Sequence, residues 1–182
     1  MIFEKAGREN TAAVIEMVKN TVKERGIRYV VVASNSGETA MQLKDADCQV
    51  VCVSHATGFA KKGENEMSGE DRAALEAAGI RVYTGAHVLS GVERGISRAV
   101  GGMYPAEIMA YSLRMLSQGV KVGVEISIMA LDGGMIPYGE EIIAIGGSGR
   151  GADTAVILTP AHSNAVFETS IHEILCKPGL YE

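Results

Sequence analysis

Six consecutive residues, Ser34, Asn35, Ser36, Gly37, Glu38 and Thr39, concentrate hydroxyl and amide donors between an apolar run over 29–33 and a helix-forming stretch from Ala40. At such a strand-to-helix turn, backbone N–H groups are left unpaired and the helix dipole favours an anion, so phosphate is the natural occupant. Gly37 permits close backbone approach, while Ser34, Ser36 and Thr39 add hydroxyls and Asn35 an amide. Glu38 opposes this chemistry unless its carboxylate turns away, and at a first helical turn it also suits the dipole. The alternative is an ordinary polar turn that binds nothing.

A second stretch, Gly146-Gly147-Ser148-Gly149-Arg150-Gly151, is a glycine arch with one cation. Its glycines at 147, 149 and 151 fall on every second residue and a strand follows, so the dinucleotide fingerprint is not met; no Gly-Lys-Ser or Gly-Lys-Thr of a Walker A loop occurs either. Arg150 could clamp a phosphate in bidentate fashion with Ser148 as a further donor, or the arch is a plain hairpin loop in which Arg150 is exposed or pairs with Asp153.

His55 and His87 each follow a predicted strand, at the carboxyl edge where open α/β sheets bind ligands. Neither has an adjacent Asp or Glu to orient it, and no Gly-x-Ser-x-Gly elbow is present, so a hydrolase triad is not signalled. His162 and His172 read as surface or satisfied core residues. Glu125 stands in an apolar stretch and requires a partner, for which Arg94, Arg98 and Arg114 are the candidates; a structural ion pair outweighs a catalytic role. Cys48 and Cys52 share one strand side but lack a second cluster at ligand spacing, so with Cys176 they read as buried reduced thiols, and no metal site is expected.

The elements that must position these groups follow from periodicity. Residues 10–25 place Val14, Ile15, Val18 and Val22 on one helical stripe, with Asn10 or Thr11 as cap and Gly26 as terminator. Strands are predicted over 29–33, 49–54 and 80–83, separated by a short helix from Ala40 and another over 71–78, and a long surface loop runs from His55 to Gly69. Helices over 91–100 and 105–118 come next, the latter with Pro105 in its first turn. The stretch 120–131 alternates like a strand, but its length favours a buried helix. Residues 142–145 and 155–158 form a hairpin around the arch, and 167–176 closes the sheet as an edge strand. Strands alternating with helices imply a mostly parallel sheet.

At 182 residues with 47% hydrophobic and 21% charged composition, the chain is expected to form one domain over 1–182. It is too short for a TIM barrel, which needs roughly 250 residues. A net charge of -5 with scattered cations speaks against nucleic-acid binding. No apolar leader is evident and Glu125 breaks the longest apolar run, so a cytoplasmic setting without membrane contact is the expectation.

The run Val30-Val31-Val32-Ala33-Ser34-Asn35-Ser36-Gly37-Glu38-Thr39-Ala40 resembles the strand and phosphate loop of the carboxy-terminal domain of pyruvate kinase. The order of elements over 120–176 is also similar, with an extra strand near Ala155. Leu89-Ser90-Gly91-Val92-Glu93-Arg94, Gly102-Met103-Tyr104-Pro105-Ala106-Glu107-Ile108, Ile136-Pro137-Tyr138-Gly139-Glu140 and the arch resemble stand-alone prokaryotic proteins, commonly archaeal, that look like this domain without the catalytic barrel.

The resemblance implies an α/β fold, a three-layer α/β/α sandwich around a mixed, mostly parallel five-stranded sheet. In pyruvate kinase that loop binds a sugar-phosphate effector, so Ser34, Asn35, Ser36, Gly37 and Thr39 inherit an anion-binding role here, while Glu38 departs from the basic or neutral residue of the pattern. A ligand with one phosphate is therefore expected, with flavin mononucleotide (FMN) as leading candidate. The rest of it would lie against His55, Thr57, Gly58, Gly85 and His87 and against Gly146, Gly147, Ser148, Gly149 and Arg150. Pyruvate kinase activity is not inherited without the barrel. The rival expectation is an enzyme that acts on a phosphorylated metabolite or uses bound flavin for redox chemistry, and a homo-oligomer is expected by analogy with the parent domain's place at subunit contacts.

Overall fold

A computed structural model describes residues 1–179; the last three residues of the expected single domain lie outside the described residues. In chain order the elements are β1 (Ile2–Phe3), α1 (Thr11–Arg25), β2 (Tyr29–Ala33), α2 (Glu38–Met41), β3 (Gln49–Ser54), α3 (Gly69–Ala77), β4 (Arg81–Thr84), α4 (Gly91–Val100), α5 (Pro105–Arg114), α6 (Gln118–Asp132), β5 (Ile142–Gly146), β6 (Thr154–Thr159) and β7 (Ser170–Pro178).

The sheet runs β1-β7-β6-β5-β2-β3-β4. Strands β2, β3, β4 and β5 are mutually parallel, β6 is antiparallel to both its neighbours, and β1 is parallel to β7. Among the described residues the sheet thus has seven strands where the resemblance implied five. The hairpin over the arch adds β6 and returns the chain as β7, whose far side pairs Ile2 with Lys177, so β7 is not the edge. A two-residue strand has no periodicity to read. Phe167, expected in that last strand, is in a 3₁₀ turn (Ser163–Glu168) and almost fully exposed.

Alternation along the strands divides the core between two faces. Val30, Val32, Ile143 and Ile145 pack with Val14, Val18 and Val22 of α1, with Leu43, and with Leu75 of α3. Val31, Val51, Ala144 and Val156 pack with Val120, Val124, Ile128 and Leu131 of α6. This is a three-layer α/β/α arrangement. Helix α6 is buried nearly all round, which is why its sequence could mimic a strand. Its first turn lies so close to the sheet that a Cβ on Gly146 would meet the Gly119 carbonyl, with the Gly119 Cα at 3.1 Å.

The start of α1 departs from the expected cap. The Asn10 amide donates to the carbonyls of Lys5 and Gly7, and the Thr11 hydroxyl donates to the Arg8 carbonyl at 2.7 Å, so neither side chain caps the helix. Thr11 Oγ1 instead accepts the Ala152 N–H at 3.0 Å, which ties α1 to the arch. At the other end Gly26 adopts φ 65°, the left-handed conformation open to glycine. Helices α4 and α5 form an outlying hairpin; no residue of α4 is buried.

Candidate functional site

Strand β2 connects onward to β3 on one side, while β5 lies on its other side, so the chain reverses direction across the sheet between β2 and β5. Crevices of this kind sit outside the carboxyl ends of the strands. The loop after β2 and the arch after β5 flank it, and together they wall a cavity of about 470 Å³. Ser34, Asn35, Ser36, Glu38 and Thr39 line one side, Gly147, Gly149, Arg150 and Gly151 the other, with His55, Glu66 and Gln118 completing the wall.

Ser34 and Thr39 are only 7% and 6% exposed. Neither hydroxyl has a hydrogen-bond partner among the described residues, nor do the side chains of Asn35 and Ser36. The N–H of Ser34 donates to the Val53 carbonyl at 3.1 Å, whereas those of Asn35, Ser36 and Gly37 find no protein acceptor among the described residues. No buried side-chain polar atom among the described residues is left unpaired, so these donors are open to the cavity instead of sealed in the core. Gly37 itself is turned away: at φ 84° it lies against Leu75, where a Cβ would clash.

Glu38 is exposed and its carboxylate lies 3.7 Å from the Arg8 guanidinium, a weak pair that partly offsets its charge. Across the cavity Arg150 is exposed and has no hydrogen-bond or ion-pair partner among the described residues. The alternative pairing with Asp153 is not formed, because Asp153 is fully buried and engaged elsewhere. It accepts the N–H of Gly7 at 3.2 Å, that of Ser148 at 3.1 Å and the Thr154 hydroxyl at 2.7 Å, which shapes the arch and leaves Arg150 free.

A smaller chamber of about 160 Å³ adjoins the first and shares Ala33, Asn35, His55, Gln118 and Val122 with it. His87, Arg94, Arg114, Lys121 and Glu125 line it. His55 Nδ1 lies 2.6 Å from Glu66 Oε2, a carboxylate eleven residues on that the long loop folds back. The rings of Phe59 and His87 lie 4.0 Å and 5.4 Å from that of His55. Burial holds the His87 imidazole below its usual pKa, against the opposing pull of Glu125.

Glu125 is 4% exposed and pairs with Lys121, one helical turn before it, and also accepts the Leu89 N–H at 2.8 Å. None of the arginines anticipated from sequence is its partner. Burial also lowers the pKa of Lys121, opposed by Glu125. The spacing of Lys121 and Glu125 at i and i+4 was a readable signal once 120–131 was taken as helical. Glu66, Gln118 and Asp153 carried none.

Of the other expected contacts, Thr57 Oγ1 accepts from Asn65 at 3.3 Å and the Gly58 N–H donates to the Glu64 carbonyl at 2.8 Å, both shaping the long loop. Gly85 packs on Tyr83, Gly146 on Gly119, and Ser148 donates its N–H to Asp153. None of these five lines either cavity. His162 pairs with Asp132 at 2.8 Å and His172 lies 2.9 Å from the Thr159 hydroxyl, outside both cavities. The thiols are free, with burial pushing Cys52 up to about 12 and Cys48 and Cys176 up to about 11, so none is poised as a thiolate ligand. Among the described residues no cluster of His, Cys, Asp and Glu is disposed to hold a metal ion, and no helix is long and apolar enough to cross a membrane.

These features define an open α/β domain with a polar-lined crevice at the carboxyl edge of its sheet. Residues 12–158 match the pyruvate kinase alpha/beta domain family, and the chain belongs to that family. Among solved structures it is similar to a pyruvate kinase from Cryptosporidium parvum, at 11% identity over 73% of this chain with a TM-score of 0.37. It is also similar to the Cryptosporidium parvum enzyme in complex with ADP, at 11% identity over 80% of this chain with a TM-score of 0.41. The chain spans 19% and 22% of the length of those two proteins.

Proposed function

We propose that this domain binds a phosphorylated small molecule at the carboxyl edge of its sheet, a mononucleotide such as FMN, with its phosphate on residues 34–39 and Arg150 closing over it. The observation that carries the reading is the pair of hydroxyls of Ser34 and Thr39, without a protein partner among the described residues and open to a cavity that is also lined by the unpaired Arg150 guanidinium. A cavity of about 470 Å³ is of ligand-binding size. The close-set rings of His55, Phe59 and His87 offer an edge for a planar ring system. A flavin held there would supply electron-transfer chemistry; the residues of this chain would bind and orient it. Fluorescence titration with FMN and riboflavin tests this, with FMN expected at least about tenfold tighter, since only it carries the phosphate. Equal affinities would refute the phosphate assignment.

The same reading includes a stand-alone cytoplasmic protein of the prokaryotic kind that the four motif stretches resemble, assembled as a homo-oligomer. Support for assembly comes from apolar side chains open to solvent on and beside α4 and α5: Val92, Val100 and Met115 are 79%, 74% and 85% exposed. Light scattering at micromolar concentration should give a multiple of 19.2 kDa, and a clean monomer would contradict it.

An enzymatic reading is favoured by one observation, the carboxylate of Glu66 against His55 Nδ1. Such a pair orients an imidazole for proton transfer. Loss of turnover of a phosphorylated substrate in both His55→Ala and Glu66→Gln, with ligand affinity retained, would support it; unchanged turnover would sink it.

A further inference from the structure

Three cations, Arg94 from α4, Arg114 from α5 and Lys121 from α6, line the 160 Å³ chamber, where Glu125 is the sole acidic lining residue among the described residues. Glu125 is fully engaged, one oxygen taking the Leu89 N–H and the other the Lys121 ammonium. The acids of the α4–α5 hairpin are committed elsewhere. Glu93 accepts the N–H groups of Ala106 and Glu107 at 2.8 and 3.2 Å, and Glu107 accepts the Ser97 hydroxyl at 2.9 Å. Arg114 donates through Nε to Gln118 at 2.7 Å, with its guanidinium 5.1 Å from the Tyr111 ring centre, and has no carboxylate partner. The Arg94 guanidinium has no hydrogen-bond or ion-pair partner among the described residues. Burial is the main cause that lowers the Lys121 pKa, opposed by Glu125, and the nearby Arg114 and Arg94 charges add to the lowering.

Convergent cations in a partly desolvated pocket are costly unless an anion joins them. We propose that this inner chamber is a second oxyanion subsite, which takes a carboxylate carried by the same phosphorylated ligand. The proposal rests on the phosphate-loop part of the reading above and replaces FMN, which has no carboxylate, with a small phosphorylated carboxylic acid as the ligand. The two compartments meet at Asn35, His55 and Gln118, so one compact molecule can reach both. A carboxylate suits the chamber better than a second phosphate. It is planar and matches the guanidinium forks, the space is a third of that beside the phosphate loop, and a dianion would be repelled more strongly by Glu125.

Calorimetry with glycerol 3-phosphate and 3-phosphoglycerate isolates the carboxylate, since the two differ only in having a hydroxymethyl or a carboxylate at one end. Expected is at least about tenfold tighter binding of 3-phosphoglycerate. Arg94→Gln should remove most of that gain and Arg94→Lys retain part, while glycerol 3-phosphate affinity stays within about twofold because its phosphate does not reach Arg94. Arg150→Ala should weaken both ligands alike. Equal binding of the two compounds overturns the inner subsite and leaves the phosphate loop standing. A gain with 1,3-propanediol bisphosphate and none with 3-phosphoglycerate overturns the choice of carboxylate. Absence of binding by any of the three overturns the phosphate reading and this subsite with it.

Discussion

Arg150→Ala separates a functional arch from a bare hairpin. In the folded chain this guanidinium faces the cavity opposite residues 34–39 and has no hydrogen-bond or ion-pair partner among the described residues, so truncating it removes no internal interaction. Folding stability should move by no more than about 0.5 kcal/mol, as for other surface changes. A charge-assisted hydrogen bond to phosphate contributes about 1.5–3 kcal/mol, which corresponds to about a ten- to hundredfold change in dissociation constant. Because Arg150 is exposed, solvent screening places the expectation near the lower end of that range. Flavin fluorescence titration of wild type and variant, with FMN and with riboflavin, measures it directly. The FMN affinity should fall while that of riboflavin, which lacks the phosphate, holds, and the loss should shrink as ionic strength rises. FMN affinity within about twofold of wild type would remove the arch from the site.

Three further outcomes follow from the same geometry. Glu38→Gln should tighten phosphate-ligand binding by about two- to fivefold, a modest effect because the carboxylate is exposed and partly offset by Arg8; weaker binding would show that Glu38 contacts the ligand favourably. Burial lowers the His87 pKa below its usual 6.5, and Glu125, His55, Lys121 and Arg94 face it, so the unfolded chain binds this proton more readily than the folded one. Its contribution to stability is complete above pH 6.5 and declines as pH falls from there towards the folded pKa; His87→Asn should flatten that part of the pH–stability curve, and an unchanged slope would refute the assignment. Gly146→Ala drives a Cβ into the backbone of Gly119 and must displace α6, at a cost of about 1–3 kcal/mol; at about 2–4 °C per kcal/mol, calorimetric melting should drop by several degrees, and an unchanged Tm would contradict the close approach.

Much of the architecture was legible because it is encoded in short windows. The stripe of Val14, Val18 and Val22 and the glycine after Arg25 specify α1, and apolar runs bounded by polar loops specify β2, β3 and β5. Residues 34–36, Glu38, Thr39, His55, Gly147, Gly149 and Arg150 were picked out by type and by position after strands, and the fold gathers them around one cavity. Tertiary structure decided what depends on residues far apart in the chain. Gly7 reaches Asp153 and Ile2 pairs with Lys177, and no local pattern encodes partners at such separations. Glu66 meets His55 only because the long loop folds back on itself. The convergence of half-buried Arg94 and Arg114 with buried Lys121 around a shared chamber arises where three helices pack together. Side-chain type and backbone preference are properties of neighbouring residues, so they can be read along the chain. Which donors remain unpaired, and which charges share a desolvated space, depends on the packing that brings distant segments together.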